Sequence, residues 1–151
     1  NNSNYIYENC DNAAAVKNAI ITQKDNKYKM NFINNAKIES MDEEFTDLRD
    51  IEKDLIEVTN KDQKKGIINL ETKKFELKPV FNSIKLIGQL GEERYYLIEY
   101  KGLFGVSKRD NNVFINAVHE NKKQALDAFK VKISKHQSKE KETKKDKDLS
   151  R

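Results

Sequence analysis

Laid over itself at shifts of 35 to 39 residues, the chain repeats two landmarks in step. The first is a strand entry after a polar turn. Gly66-Ile67-Ile68-Asn69 has a counterpart 35 residues earlier in Asn31-Phe32-Ile33-Asn34 and one 39 residues later at Gly105-Val106. The second keeps an aromatic, two residues, then an aliphatic: Phe45-Thr46-Asp47-Leu48 and, 36 residues on, Phe81-Asn82-Ser83-Ile84, with Tyr7-Glu8-Asn9-Cys10 of the same shape. The distance from second landmark to first is also kept: 24 residues from Tyr7 to Asn31, 21 from Phe45 to Gly66, 24 from Phe81 to Gly105. Two landmarks holding one frame constrain the fold to a tandem of similar units.

Each unit reads as β-structure. Ala19 to Thr22, Asp54 to Val58 and Arg94 to Tyr100 are short apolar runs that end in polar turns at Lys24–Lys27, Asn60–Lys64 and Lys101-Gly102. A second strand follows each turn. A third ends near Ile38, Phe75-Glu76-Leu77 and Val113-Phe114-Ile115, where apolar residues alternate with period two. Three-stranded meanders over about 5–41, 42–77 and 78–118 are expected. Gly66 and Gly105 point to a tight backbone or a close approach at strand entry, and Asn31 suits the same place because Asn tolerates positive φ. Pro79 lacks an N–H and belongs at a bend or strand end.

After Val118 the period changes. Ala125, Leu126, Ala128, Phe129 and Ile133 are spaced for an amphipathic helix over 120–136 that caps the last unit. From 137 to 151 the only aliphatic residue is Leu149, so that stretch is expected to be a basic tail, disordered or frayed helix. The fold class is therefore an all-β repeat, an open, curved array of antiparallel meanders with a C-terminal helix covering its last edge. Closure into a propeller-like ring typically takes about 4–8 units, more than are present.

Composition limits function. Apolar residues make up 36% of the chain and charged residues another 36%, so the core is thin. The net charge of +4 is concentrated at the end: residues 130–151 hold nine Lys/Arg against four Asp/Glu, leaving the remainder near neutral. No apolar run approaches a membrane span. The sequence starts at Asn1 without a basic-then-apolar leader, which suggests a processed product or a piece of a longer chain and fixes no compartment. Cys10 is the sole cysteine, so no internal disulfide is available.

Few residues suggest chemistry. His119 and His136 stand 17 apart, without the convergent ligand spacing of a zinc site. The acidic groups Asp42-Glu43-Glu44, Asp47/Asp50 and Glu92-Glu93 read as solvated faces, and neither a phosphate loop nor a nucleophile motif occurs. No catalytic residue, metal or cofactor is expected. The candidates for binding are aromatics interleaved with lysine: Tyr95, Tyr96, Tyr100, Lys101 and Phe104 on one hairpin, and Tyr28 at the matching place earlier. Tyr96 and Tyr100 share one face of their strand while Tyr95 takes the other; both rows are expected to pack between adjacent units, and the alternative is that one row is core while the other meets a partner.

Taken together, Lys65-Gly66-Ile67-Ile68-Asn69, Pro79-Val80-Phe81-Asn82-Ser83-Ile84 and Tyr100-Lys101-Gly102-Leu103-Phe104-Gly105-Val106 resemble the bacterial WG-repeat family, also called KWG. The resemblance spans Tyr5 to Val118. It departs from the family pattern in having no Trp: Lys65 and Phe104 stand where the motif Trp would, and in the first unit Asn31 or Lys29 replaces the Gly. The structural positions it marks are Asn31, Gly66, Gly105, Phe45, Pro79, Phe81 and Ile84. The family motif carries no catalytic residue, so the resemblance implies a non-catalytic scaffold that binds a protein, peptide or glycan. An architectural spacer or cap within a larger bacterial protein is the alternative. Weak attraction of the basic tail to nucleic acid or an anionic surface is a third reading.

Overall fold

The computed structural model describes residues 10–149, with side chains to 137, so the Tyr7-Glu8-Asn9 landmark and residues 150–151 lie outside it. The first sheet is β1 (Asn12–Val16), β2 (Ala19–Lys24), β3 (Lys27–Asn34) and β4 (Lys37–Phe45). The second is β5 (Asp47–Glu52), β6 (Leu55–Thr59), β7 (Lys65–Asn69) and β8 (Lys74–Phe81). The third is β9 (Ser83–Leu90), β10 (Glu93–Tyr100), β11 (Leu103–Lys108) and β12 (Asn112–His119). Every sheet is antiparallel, with its strands side by side in chain order.

Each sheet has four strands where three were expected, and the sheets change over at Thr46 and Asn82 rather than after 41 and 77. The strand missed in each unit is the first. β5 offers only Leu48 and Ile51 among charged residues, and β1 only small residues and one Val, a composition suited to an outer strand with one wet face. The inner strands are easier to see. β6 is buried at all five positions, and β10 from Tyr95 through Ile98, because both faces of their sheets are covered.

Consecutive sheets pack face to face and share two cores. Ala19, Met30, Phe32 and Phe45 of the first sheet meet Ile56, Val58 and Ile68 of the second. Leu55, Ile67, Leu77 and Phe81 leave the opposite face of the second sheet and meet Ile84, Tyr96 and Ile98 of the third. The second sheet therefore uses both faces, which is how a chain with 36% apolar residues sustains twelve strands. The aromatic-x-x-aliphatic landmark is the step between sheets. Phe45 and Phe81 end one sheet, Leu48 and Ile84 begin the next, and the intervening Thr46 and Asn82 donate their N–H to the Thr59 and Glu99 carbonyls, both at 2.8 Å.

Turn chemistry supports the hairpins. Asp25-Asn26, Asn35-Ala36 and Lys101-Gly102 hold positive φ at both residues, the twist that tight two-residue hairpins prefer. The glycine landmark has a different cause. A Cβ on Gly66 would lie 2.6 Å from the Leu77 carbonyl oxygen and 2.7 Å from Pro79 N, and one on Gly105 would lie 2.4 Å from the Ile115 oxygen. In both sheets the fourth strand bulges over the glycine: three residues, 78–80 or 116–118, stand opposite it. Pro79 sits in that bulge, where no ladder N–H is required of it.

The first sheet solves the same problem without glycine. Register places Lys29, not Asn31, in the glycine position, and the bulge moves one residue along so that 41–43 stand opposite Met30. Asn31 is absent from the positive-φ positions, which corrects its expected role. It lies buried in mid-strand, where its Nδ2 donates to the Ile20 carbonyl at 2.9 Å and to Thr22 Oγ1 at 3.1 Å.

The helix, α1 (Lys122–Leu149), extends past its expected end at His136 into the charged stretch. The reason is propensity: the stretch is rich in Lys, carries two Glu and lacks Gly and Pro, so extension costs little. Asn121 caps it by accepting the Gln124 N–H at 2.9 Å, and Gln124 Oε1 accepts the Glu120 N–H at 3.1 Å. The helix covers a face of the third sheet, where the expectation was its edge. Phe129 packs on Tyr95 and Phe114 at ring distances of 5.2 and 5.8 Å, beside the fully buried Ala125.

Candidate functional site

Register makes the three sheets comparable position by position. Ile68 and Ser107 both lie two residues beyond the glycine, and their β8 and β12 partners are Phe75 and Val113. At the junction between the first and second sheets, Phe75 stands edge-on to Phe45, with ring centroids 6.2 Å apart and planes at 85°. Phe45, Val58 and Ile68 are sealed beneath it.

At the next junction the corresponding residues are Phe81, Ile98, Ser107 and Val113. The two outermost shrink, Phe to Val and Ile to Ser, and a groove of about 260 Å³ opens in their place. Phe81, Ile98 and Val106 form its floor, and Ile115 and Ala117 of β12 its wall. Val80, Tyr100 and Val113 form the rim, with 42%, 41% and 64% of their surfaces exposed. The Ser107 hydroxyl donates to the Lys108 carbonyl at 2.9 Å, so it turns its polar end onto backbone. Asn111 Oδ1 accepts the Lys78 N–H at 2.8 Å and pins the β11–β12 turn against β8. The surface left is apolar and held rigidly on two strand edges.

Apart from the groove, the second and third sheets are tied by a buried carboxylate. Glu76 Oε1 accepts from Arg94 at 2.9 Å and from Asn69 at 3.1 Å, and its Oε2 accepts the Tyr96 hydroxyl. Burial, reinforced by the Glu76 carboxylate, pushes the Tyr96 hydroxyl well above its ordinary ionisation range. With three donors on one carboxylate the cluster is a structural tie.

The structure disperses the binding candidates. Tyr95 and Tyr96 are buried on opposite faces of β10, one under the helix and one against the second sheet, so neither offers a ring to solvent. Both aromatic rows are packed, as expected, but the Tyr95 row packs under α1 and not against an adjacent unit. Tyr28 is half-buried against the first core and Phe104 is half-buried on β11. Tyr100 remains at the groove, edge-on to Phe81 at 6.4 Å, with Lys101 Nζ 5.3 Å from its ring. Lys101 itself is a turn residue at φ 52°.

Among the structural landmarks, Phe45, Phe81, Gly66, Gly105, Pro79 and Ile84 take part in the junctions and bulges already described. The acidic run Asp42-Glu43-Glu44 lines a separate hollow at the first junction together with Lys27 and Lys61. Among the described residues no group of three or more His, Cys, Asp or Glu side chains could hold a metal, and no helix is long and apolar enough to cross a membrane. Sequence reasoning missed Val80, Ser107 and Val113. For Ser107 and Val113 the signal was a drop in size relative to Ile68 and Phe75, hidden because the offset changes from 39 to 38 residues across the turn. No family model matches the chain, and no curated protein or solved structure was found to match it.

Proposed function

We propose that this chain is a non-catalytic scaffold of WG-type repeats that binds a protein or peptide partner through the groove between its second and third sheets. The observation that carries the reading is the rim of Val80, Tyr100 and Val113, an exposed apolar surface where the preceding junction is sealed by Phe75. Apolar pockets that bury an anchor residue are where binding energy concentrates in protein interfaces. The family part rests on Gly66 and Gly105 beneath their bulges and on the Phe81-x-x-Ile84 step. The open arrangement of the array is supported by α1, which lies over the third sheet where a further unit would stack. Selection of a displayed random-peptide library on the intact chain tests the reading. It predicts enriched sequences that compete with one another, and a selection without enrichment would remove it.

An architectural role is the second reading, favoured by the same helix because terminal units of repeat arrays carry such caps. It predicts that neighbouring coding sequence adds further units before Asn1 and that the V113F chain performs as well as the native one in cells.

A further inference from the structure

We infer that the groove receives a single aromatic side chain from a peptide partner, seated edge-on against Phe81 as Phe75 is seated against Phe45. The inference deepens the binding-scaffold reading and rests on it. Its warrant is internal to the molecule. Phe45, Val58 and Ile68 surround a benzyl ring at the first junction, whereas Phe81, Ile98 and Ser107 surround open space at the second. Val113 supplies two methyl groups where Phe75 supplies a ring, so the open space lies in the place of an aromatic side chain.

Three further observations select the occupant. The groove's 260 Å³ falls below the ~300–1,000 Å³ of small-molecule sites, so it suits one side chain better than a whole ligand. Phe81 and Tyr100 already stand edge-to-face at 6.4 Å, and a third ring completes an aromatic cluster of the kind formed by Tyr95, Phe114 and Phe129 on the far face of the same sheet. Finally, β8 and β12 are the outermost strands of their sheets and both line the groove, so backbone groups lie beside it to hold an extended chain. Lys101 over Tyr100 puts a cation at the rim, which favours a peptide with an acidic residue next to the ring.

The test is titration of the intact 15N-labelled chain with capped Ser-Gly-Xaa-Gly-Ser peptides in which the central residue is Phe, Leu or Ala. The Phe peptide should shift the amide signals of Val80, Ser107 and Val113 and bind about tenfold or more tighter than the Ala peptide, with Leu between. V113F, which places the ring in the groove from within, should abolish that advantage while its thermal melt shows an intact fold; V80S at the rim should weaken it. Equal binding of Phe and Leu overturns the inference, as does Phe binding that survives V113F. Self-association that disappears in V113F overturns it too, since the occupant would then be a second copy. Library peptides that bind with V113F unchanged refute the groove alone, and the absence of any bound peptide refutes the scaffold reading itself.

Discussion

Replacing Gly105 with Ala adds one methyl group at the tightest point of the third sheet. Its carbon would stand 2.4 Å from the Ile115 oxygen, 2.7 Å from Ala117 N and 2.8 Å from Ala117 Cα, all of them backbone atoms. Ordinary contact begins at 3.4 Å, so β12 must retreat by about 1 Å. A side chain could swing aside, but a bulged strand that is also covered by α1 can do so only by straining its ladder. Overpacking costs ~1–3 kcal/mol, and a clash confined to backbone belongs at about 3 kcal/mol, the upper end. For a chain of this length that lowers the melting temperature by ~6–12 °C. Gly88, in β9, is the control: a Cβ there meets nothing within 4 Å, so G88A should be neutral or stabilise by ~0.5 kcal/mol. Urea unfolding of both variants decides the matter. A G105A midpoint within ~0.5 kcal/mol of wild type would refute the close-approach argument. Equal losses in both would show that strand glycine matters for some other reason.

Removing the carboxylate in E76A strands the Arg94 guanidinium between the second and third sheets and should cost about 3 kcal/mol in the same assay. Tyr96 gives this tie a pH dependence. Its hydroxyl ionises at higher pH folded than unfolded, so the associated stability is complete below the unfolded value near pH 10 and declines as pH rises above it. The Y96F chain should therefore lose less stability than wild type on going from pH 9 to 11; identical slopes would contradict the assignment. Ala36 holds a left-handed φ of 67°, so A36G should raise the unfolding free energy by ~0.5–1 kcal/mol, as read by thermal denaturation. Ending the chain at Glu120 bares Tyr95 and Phe114 and should produce aggregation in sedimentation runs, whereas a soluble monomer would show that α1 is dispensable.

The sequence was most legible where both faces of a strand are covered. Ile56 to Val58 and Tyr95 to Ile98 announce inner strands, and the Phe81-x-x-Ile84 spacing marks the step between sheets. The glycines were legible as well, since a Cβ at Gly66 or Gly105 would run into the backbone of the facing strand. The outer strand β5 was not, because Leu48 and Ile51 are too few among charges to show a period. Beyond His136 the sequence left frayed helix and disorder both open, because Lys and Glu suit either. The groove was out of reach for another reason. Its signal is a pair of small residues, Ser107 and Val113, and small residues become informative only when register shows which larger ones they replace.

The equivalence of the two junctions is best tested by exchanging their plugs and measuring stability in both directions. F75V should open the first junction and cost ~2 kcal/mol, because a buried ring is traded for two methyl groups, and V113F should fill the second and stabilise the chain by about 1 kcal/mol. Opposite signs of that order would bear out the account. Two destabilised variants, or an F75V chain as stable as wild type, would show that Phe75 and Val113 do not hold corresponding places and that the groove is no vacancy in a shared design.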